Sequence, residues 1–457
     1  MQWPRVSLRD VGRLHCGQSP RSVDVNNDGK GSPYVSGPDQ WDGVALRLDK
    51  WTTDPRRIVP PGCVFITVKG AGVGTVFPGV EAAIGRDVYA FEPADHVSPK
   101  FVEHALRLTV GEILRQARGD IPGLSKGHIL DHVIGLPTRD MQDRVVDKIE
   151  ELFSDLDAGV AALERAKANL ARYRAAVLKA AVEGKLTEQW RWEHPNVEPA
   201  SKLLKRILAE RRRRWEEEQL AKYQAKGTKP PKGWRGRYTT PMAPAAVDLP
   251  QLPPSWCWVT AAQISDIQSG IQKQPKRAPR KNAYPYLRVA NVLRGRLDLS
   301  EIREFELFNG ELERLRLEPG DLLVVEGNGS RNEIGRSALW GGEIENCVHQ
   351  NHIIRVRPLY ASPDYLDYYW NSPQGSRRVM RVAASTSGLY TLSVSKVGAI
   401  PTPLPPLAEQ EVIASTIGEA LSQAERVATA LNAASMRSGR MRQGILREAF
   451  SGTLGEG

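Results

Sequence analysis

Residues 405–454 read PPLAEQEVIASTIGEALSQAERVATALNAASMRSGRMRQGILREAFSGTL, and residues 137–186 read PTRDMQDRVVDKIEELFSDLDAGVAALERAKANLARYRAAVLKAAVEGKL. The two blocks align without a gap at a constant shift of 268, with fourteen identities in fifty. Among them are Pro137/Pro405, Gln142/Gln410, Ile149/Ile417, Leu163/Leu431, Arg172/Arg440, Arg174/Arg442, Leu178/Leu446, Gly184/Gly452 and Leu186/Leu454. A duplication of this length decides the architecture before any local assignment does. In the first copy Val145, Ile149, Leu152, Leu156, Gly159, Leu163, Ala166, Leu170, Tyr173, Val177 and Ala180 keep an unbroken 4,3 spacing, the seam of a coiled coil, with no proline inside it. About 40 helical residues would span on the order of 60 Å. The second copy repeats the seam through Ile413, Ile417, Ala420, Ala424, Val427, Leu431, Ala434, Met441 and Ile445, with Ser438 and Glu448 falling on it. Each helix alone fits a surface helix on its own domain; the matched length and phase favour a mutual antiparallel pair.

The segments ahead of the helices also echo each other. Trp3, Val6, Val11, Leu14 and Gly17 match Trp256, Val259, Ile264, Ile267 and Gly270 at a shift of 253. Pro61-Gly62-Cys63-Val64-Phe65 answers Pro319-Gly320-Asp321-Leu322-Leu323, and Ser98-Pro99-Lys100-Phe101 answers Ser362-Pro363-Asp364-Tyr365. Short apolar runs at Cys63–Val68, Leu322–Val325 and Ile353–Val356, bounded by Gly and Pro, predict strands, and Tyr365–Met380 predicts a helix despite Pro373. The expected fold is α+β and duplicated: a mixed domain over 1–136, a long helix over 137–186, a basic linker over 187–251, a second mixed domain over 252–402 and a second long helix over 403–457, the helices antiparallel.

The chain has 457 residues, too many for one ordinary core, and its 41% hydrophobic content suffices to bury more than one. No run approaches the roughly 20 apolar residues of a membrane helix, and Met1-Gln2-Trp3-Pro4-Arg5 lacks the apolar stretch of a signal peptide, so the expected location is the cytoplasm and no membrane partner is expected. Cys16, Cys63, Cys257 and Cys347 are scattered, which predicts reduced structural thiols and no metal site. The net charge of +10 suits a polyanionic partner. Residues 201–240 hold thirteen Lys or Arg against four Glu, nearly the whole excess. Charge is also segregated further on: Lys273, Lys276, Arg277, Arg280, Lys281, Arg288, Arg294 and Arg296 precede an acidic stretch from Asp298 to Glu318.

Pro403-Leu404-Pro405-Pro406-Leu407-Ala408-Glu409-Gln410, leading into a helix that closes on Ala449-Phe450-Ser451-Gly452-Thr453-Leu454, resembles the conserved region of type I restriction–modification specificity subunits. The first copy, Leu136-Pro137-Thr138-Arg139-Asp140-Met141-Gln142, keeps only the proline and glutamine but ends on the similar Gly184-Lys185-Leu186-Thr187. The segment from Gly184 to Tyr238 resembles the central spacer of one branch of that family. The resemblance implies two target-recognition domains separated by paired helices, a two-part double-stranded DNA target, and docking to methyltransferase subunits, two of them expected, and to motor-nuclease restriction subunits. It implies that this chain binds no cofactor, while S-adenosylmethionine, ATP and Mg²⁺ belong to its partners in an adenine-methylating, ATP-dependent complex. Matched residues suggested for docking are Gln142 and Gln410, with Trp215 as a further anchor. A duplicated reader also suits half-sites about 34 Å, one DNA turn, apart on one face.

Catalytic motifs are weak. Gly70-Ala71-Gly72-Val73-Gly74 has no helical pattern after it and reads as a turn, and the Gly329–Ser337 loop lacks the spacing and lysine of a phosphate cradle. Cys347, His349 and His352 suit a strand better than a metal site. No catalytic residue is assigned. For DNA, Arg and Lys suit guanine, Asn and Gln suit adenine, and phosphates accept almost any donor. The proline-containing loop Gln272, Lys273, Gln274, Lys276, Arg277, Arg280 and Lys281 is expected to be extended and to follow a groove, with a solvated basic loop as the alternative. Its counterpart offers Gln18, Ser19, Arg21, Asn26, Asn27 and Lys30. Further candidates are Lys69, Arg86, Arg118, Lys126, Asn328, Arg331, Gln350, Asn351, Ser385 and Tyr390. Arg211-Arg212-Arg213-Arg214 facing Glu216-Glu217-Glu218 reads first as a self-paired solvent helix. The competing function is a coiled-coil DNA-binding regulator or scaffold with two interaction domains, which would self-associate and leave no specific footprint.

Overall fold

The computed structural model describes residues 3–70, 72–117, 123–245, 249–308, 310–328, 330, 333–386 and 389–451. The chain divides into two compact units, residues 1–166 with 430–457, and residues 167–429.

Unit 1 runs through strands β1 (Arg5–Ser7), β2 (Gly12–Cys16), β3 (Ser32–Val35), β4 (Val64–Thr67), β5 (Val76–Pro78), β6 (Ala82–Ile84), β7 (Val88–Pro93) and β8 (Val133–Gly135). Its longer helices include α1 (Pro99–Gln116) and the first part of α2 (Arg139–Val182). An antiparallel sheet has the order β2-β7-β4-β5, β1 pairs with β8, and β3 lies parallel to β6. Every residue of β4 is buried, because both faces of the strand are covered. Val64 and Ile66 face Leu106 and Ile113 of α1, while Phe65 faces Phe77, Ile84 and Val88. A strand covered on both faces reads as a continuous apolar run.

Unit 2 repeats this plan. After α3 (Glu188–Glu193) and α4 (Ala200–Ala225) come β9 (Cys257–Thr260), β10 (Ser265–Ser269), β11 (Ala283–Leu287), β12 (Leu322–Val325), β13 (Ser337–Leu339), β14 (Val348–His349), β15 (Ile353–Pro358), α5 (Pro363–Asn371), α6 (Pro373–Val382), β16 (Pro401–Leu404) and the first part of α7 (Leu407–Phe450). The order β10-β15-β12-β13 matches unit 1 strand for strand, as do the pair β9–β16 and the parallel pair β11–β14. Leu322 and Val324 face Tyr369 and Trp370, while Leu323 and Val325 face Leu287 and Trp340. The single helix expected over Tyr365–Met380 is two. Pro373 cannot donate to Tyr369, and the Ser372 side chain instead caps α6 by accepting from the Gly375 amide at 3.0 Å.

The long helices meet in antiparallel fashion within each unit. In unit 1 the start of α2 (Val145, Val146, Ile149) packs on the end of α7 (Leu446, Ala449). In unit 2 the end of α2 (Val177, Ala181) packs on the start of α7 (Ile413, Ile417). The covered row differs from the expected seam. It runs 145, 149, 152, 156, 160, 163, 167, 170, 174, 177 and 181, and recurs in α7 at each position plus 268. Gly159, Tyr173, Val427, Met441 and Glu448 are exposed. The row advances by the 3.6 residues of a straight α-helix, not the 3.5 of a supercoil. Arg174 and Arg442, placed on this row, reach acids on the opposite helix, Arg174 to Glu425 at 2.6 Å and Arg442 to Asp157. Asp157 and Glu425 are themselves 268 apart, so one ion pair is written twice.

Candidate nucleic-acid interface

In both units the chain leaves the first sheet strand through a glycine that has no room for a side chain. A Cβ at Gly17 would lie 2.0 Å from the Gly85 oxygen, and one at Gly270 would lie 2.2 Å from the His349 oxygen. The candidate loops therefore start pressed against the connection that enters the next sheet strand. In unit 1 the Gln18 amide donates to Ile84 O at 2.9 Å, and the Arg86 amide donates to Ser19 Oγ at 3.2 Å. The Val68 amide donates to Asp87 O at 2.9 Å, which brings Lys69 to the same place. In unit 2 the Ile271 amide donates to His349 O at 2.9 Å and the Asn351 amide to Ile271 O at 2.8 Å. The structure thus gathers Gln18, Ser19, Lys69 and Arg86 at one end of the first sheet. It gathers Gln272, Gln350 and Asn351 at the equivalent end of the second, and the Asn328 backbone there pairs with Tyr390. Gln18, Ser19, Lys69, Arg86 and Gln272 are exposed; Gln350, Asn351 and Tyr390 are half-buried. Lys69 has no carboxylate partner among the described residues, and Arg86 faces Asp87 only at 3.9 Å.

Further along the unit 1 loop, Arg21 pairs with Asp24 at 2.9 Å, and the Asn26 side-chain carbonyl accepts from the amides of Asp28 and Lys30. The unit 2 loop is held differently. Arg277 makes two 2.8 Å bonds to the Glu311 carboxylate and a third, at 3.2 Å, to Glu306 O. This guanidinium holds the Glu311 carboxyl down at about 2. The Glu306 carboxylate accepts from the amides of Arg280 at 2.8 Å and Asn282 at 3.1 Å. The loop, expected to be extended, instead makes a 3-10 turn over Pro275–Arg277. Its side chains separate into two groups. Arg277, only 12% exposed, is committed to the fold and is not available to a base. Lys273, Lys276, Arg280 and Lys281 are exposed without a carboxylate partner among the described residues. Glu306 and Glu311 were not singled out as site residues; the signal for them was the acidic stretch that follows the basic one.

Gln142 and Gln410, read as docking residues, are buried and fully occupied inside their own units. The amides of Ser98 and Ser362 donate to Gln142 Oε1 and Gln410 Oε1, each at 2.8 Å. Gln142 Nε2 donates to Pro137 O and Gln410 Nε2 to Pro405 O, each at 2.9 Å. They fasten each long helix to its sheet domain and present no surface to a second subunit. Trp215 is half-buried and packs on Trp234 and Tyr238 of its own unit. Its helix is largely self-paired: Arg212 meets Glu216 and Arg213 meets Glu217, but Arg214 turns back to Glu210. Arg118 and Arg331 lie outside the described residues.

The sequence from His349 to His352 is a strand end and a turn. His349 is buried, its Nδ1 donates to Ile353 O at 2.9 Å, and burial pushes the imidazole down to about 4. No group of three metal-ligating side chains occurs among the described residues. Burial pushes the Cys63 and Cys347 thiols up to about 12, which leaves them protonated and unreactive at neutral pH. No described helix is long and apolar enough to cross a membrane.

No family model matches the chain. It is 25% identical to the type I restriction enzyme EcoKI specificity subunit of Escherichia coli (strain K12), over 82% of this chain and 69% of that protein. It is 23% identical to the EcoDI specificity subunit of Escherichia coli, over 99% of this chain and 89% of that one. Its fold is similar to a chain solved in work on complex assembly and conformational transition of the type I R-M system. The TM-score is 0.64, with 17% identity and 99% and 98% of the two chains covered.

Proposed function

In sequence and fold the chain is a type I restriction–modification specificity subunit, and from that premise we propose that it recognises double-stranded DNA by sequence, as a non-catalytic subunit reading a two-part target. The observation that carries this reading is the repeated sheet end. Two units of one topology each bring a glycine-anchored loop against the same connection and leave polar and cationic side chains exposed there. The identities of those side chains differ between the units, so the two half-sites should differ in sequence. Methyltransferase subunits, two of them, and restriction subunits are the proposed partners. S-adenosylmethionine, ATP and Mg²⁺ would then be held by those partners, and methylation and cleavage would belong to the assembled complex. Selection of duplexes from a random library by the full-length chain, alone and with its methyltransferase partner, tests the proposal. Enrichment of two short, unlike motifs at a fixed gap is expected; self-association with no enriched sequence would instead favour a scaffold.

A further inference from the structure

We propose that the unit 2 strap from Gln272 to Lys281 grips backbone phosphates rather than bases, that the Arg277–Glu311 pair is its positioning clamp, and that unit 1 has no equivalent grip. The inference rests on the DNA-reading function above and deepens it. From Gly270 to Asn282 there are five Lys or Arg and no acid, whereas its counterpart from Gly17 to Lys30 has two of each sign. In unit 1 one of the two cations, Arg21, is already engaged by Asp24. In unit 2 four of the five cations are exposed without a carboxylate partner among the described residues, Lys276 lying over the Phe308 ring, and the fifth is spent on holding the strap.

Two carboxylates fix the strap from behind. Glu311 takes the Arg277 fork, and Glu306 takes the amides of Arg280 and of Asn282, just past the strap. Phe308 lies beneath Lys276 and Arg277, with its ring centroid 5.9 and 5.0 Å from their charged groups. The strap is thus ordered before DNA arrives, which lowers the entropy lost on binding. Three of its four free cations are lysines, compact point charges without the planar fork that reads guanine, and the one arginine best fixed in direction is turned inward. Such a set suits phosphate oxygens, which carry no sequence.

The test measures binding of the full-length chain to a fluorescent mixed-sequence duplex of about 30 base pairs over a range of salt, with sequence preference read from the random library. Each phosphate contact contributes about 0.9 to the slope of log K against log salt. Changing Lys273, Lys276, Arg280 and Lys281 together to Gln should flatten that slope by about 3 to 4 and leave both enriched motifs unchanged. Neutralising Lys69 and Arg86 of unit 1 should flatten it by less. Glu311→Gln supplies a test of opposite sign. It makes the chain more positive, so charge alone predicts tighter binding, whereas loss of the clamp predicts several-fold weaker binding; thermal melting checks that the variant folds. An altered motif in the quadruple variant, an unchanged slope with DNA binding intact, or tighter binding by Glu311→Gln would each overturn the proposal while leaving the DNA-reading function standing. Failure of the wild-type chain and its complex to bind DNA would overturn both.

Discussion

Glu409 is completely buried and holds three donors at once: Thr187 Oγ1 and Arg191 Nη1 at 2.6 Å, and Trp256 Nε1 at 2.8 Å. In the first copy its place is taken by Met141, which packs near Trp3 and Phe101. Removing the carboxylate would leave a buried indole N–H without its acceptor and a part-buried guanidinium without its counter-charge, the costly way to break a buried pair. Glu409→Ala is therefore expected to destabilise the protein by about 3–5 kcal/mol in chemical denaturation, and Met141→Ala by less than that. Asp367 poses the reverse problem. Burial raises its carboxyl to about 7, opposed by bonds from Ser337 and Asn371. A carboxyl whose folded pKa is raised contributes its stability below its unfolded pKa, near 4, and loses it as pH rises through about 7. Asp367→Asn should accordingly raise stability on the order of 3 kcal/mol at pH 8 and little at pH 4. Melting curves across that range that stay parallel for the two proteins would refute the assignment. His349 acts with the opposite sign: its folded value of about 4 means stability is lost as pH falls from about 6.5. At this scale the sequence was least legible. Arg277 was as good a base-reading candidate as its neighbours until its partner, thirty-four residues away, was placed beside it. Gln142 and Gln410 were recognisable as a matched pair, but whether a matched residue serves the fold or a partner depends on burial, which spacing does not encode.

The long helices were the most legible elements, because a fifty-residue block written twice with the same apolar spacing admits little else. What spacing could not resolve was a drift of one tenth of a residue per turn-step, which moves the covered row from Ala180 to Ala181 and from Glu448 to Ala449 over ten steps. That drift bears on how the helices can be shortened. At about 100° per residue, removal of seven residues leaves the remaining row about 20° short of a whole number of turns and removal of eleven leaves it about 20° beyond one, so either cut keeps the row close to its face. Deleting residues 160–170 and 428–438 together takes out the same positions of both copies and about 16 Å of each helix. If the helices set the gap between the half-sites, this double deletion should stop recognition of the parent target and enrich a shorter gap, while deletion from one helix alone should cost folding stability. An unchanged gap in a folded double-deletion protein would reject the ruler function. The sheets were legible only in part. Val64–Thr67 and Leu322–Val325 announce themselves as buried runs, but the pairing of β1 with β8 and β9 with β16 joins residues more than a hundred positions apart, and nothing local specifies it.

For the whole molecule, the two units share strand order, glycine anchors, a glutamine clamp and an interhelical ion pair, yet their candidate loops share almost no side chain. A common framework with unlike exposed residues is what independent readers require, since the framework positions the loops and the loops choose the bases. Variants in one unit should then change one half of the target and leave the other alone. In unit 1, Gln18→Ala with Arg86→Ala removes an amide and a guanidinium from the sheet end, where deleting a side chain that pairs bidentately with a base would cost about 1–3 kcal/mol. In unit 2, Gln350→Ala with Asn351→Ala removes two amides of the kind that pair with adenine. Neither pair includes a residue of the strap clamp, and all four side chains are exposed or half-buried, so folding should survive. Sequencing the duplexes selected by each double variant should show one motif relaxed and the other as sharp as in the wild type, with the relaxed motif exchanged between the two variants. Both motifs relaxing together would mean that the units read DNA as one surface. Affinity falling evenly with both motifs intact would mean that these four residues only touch phosphates, and the bases would have to be read from elsewhere on the two sheets.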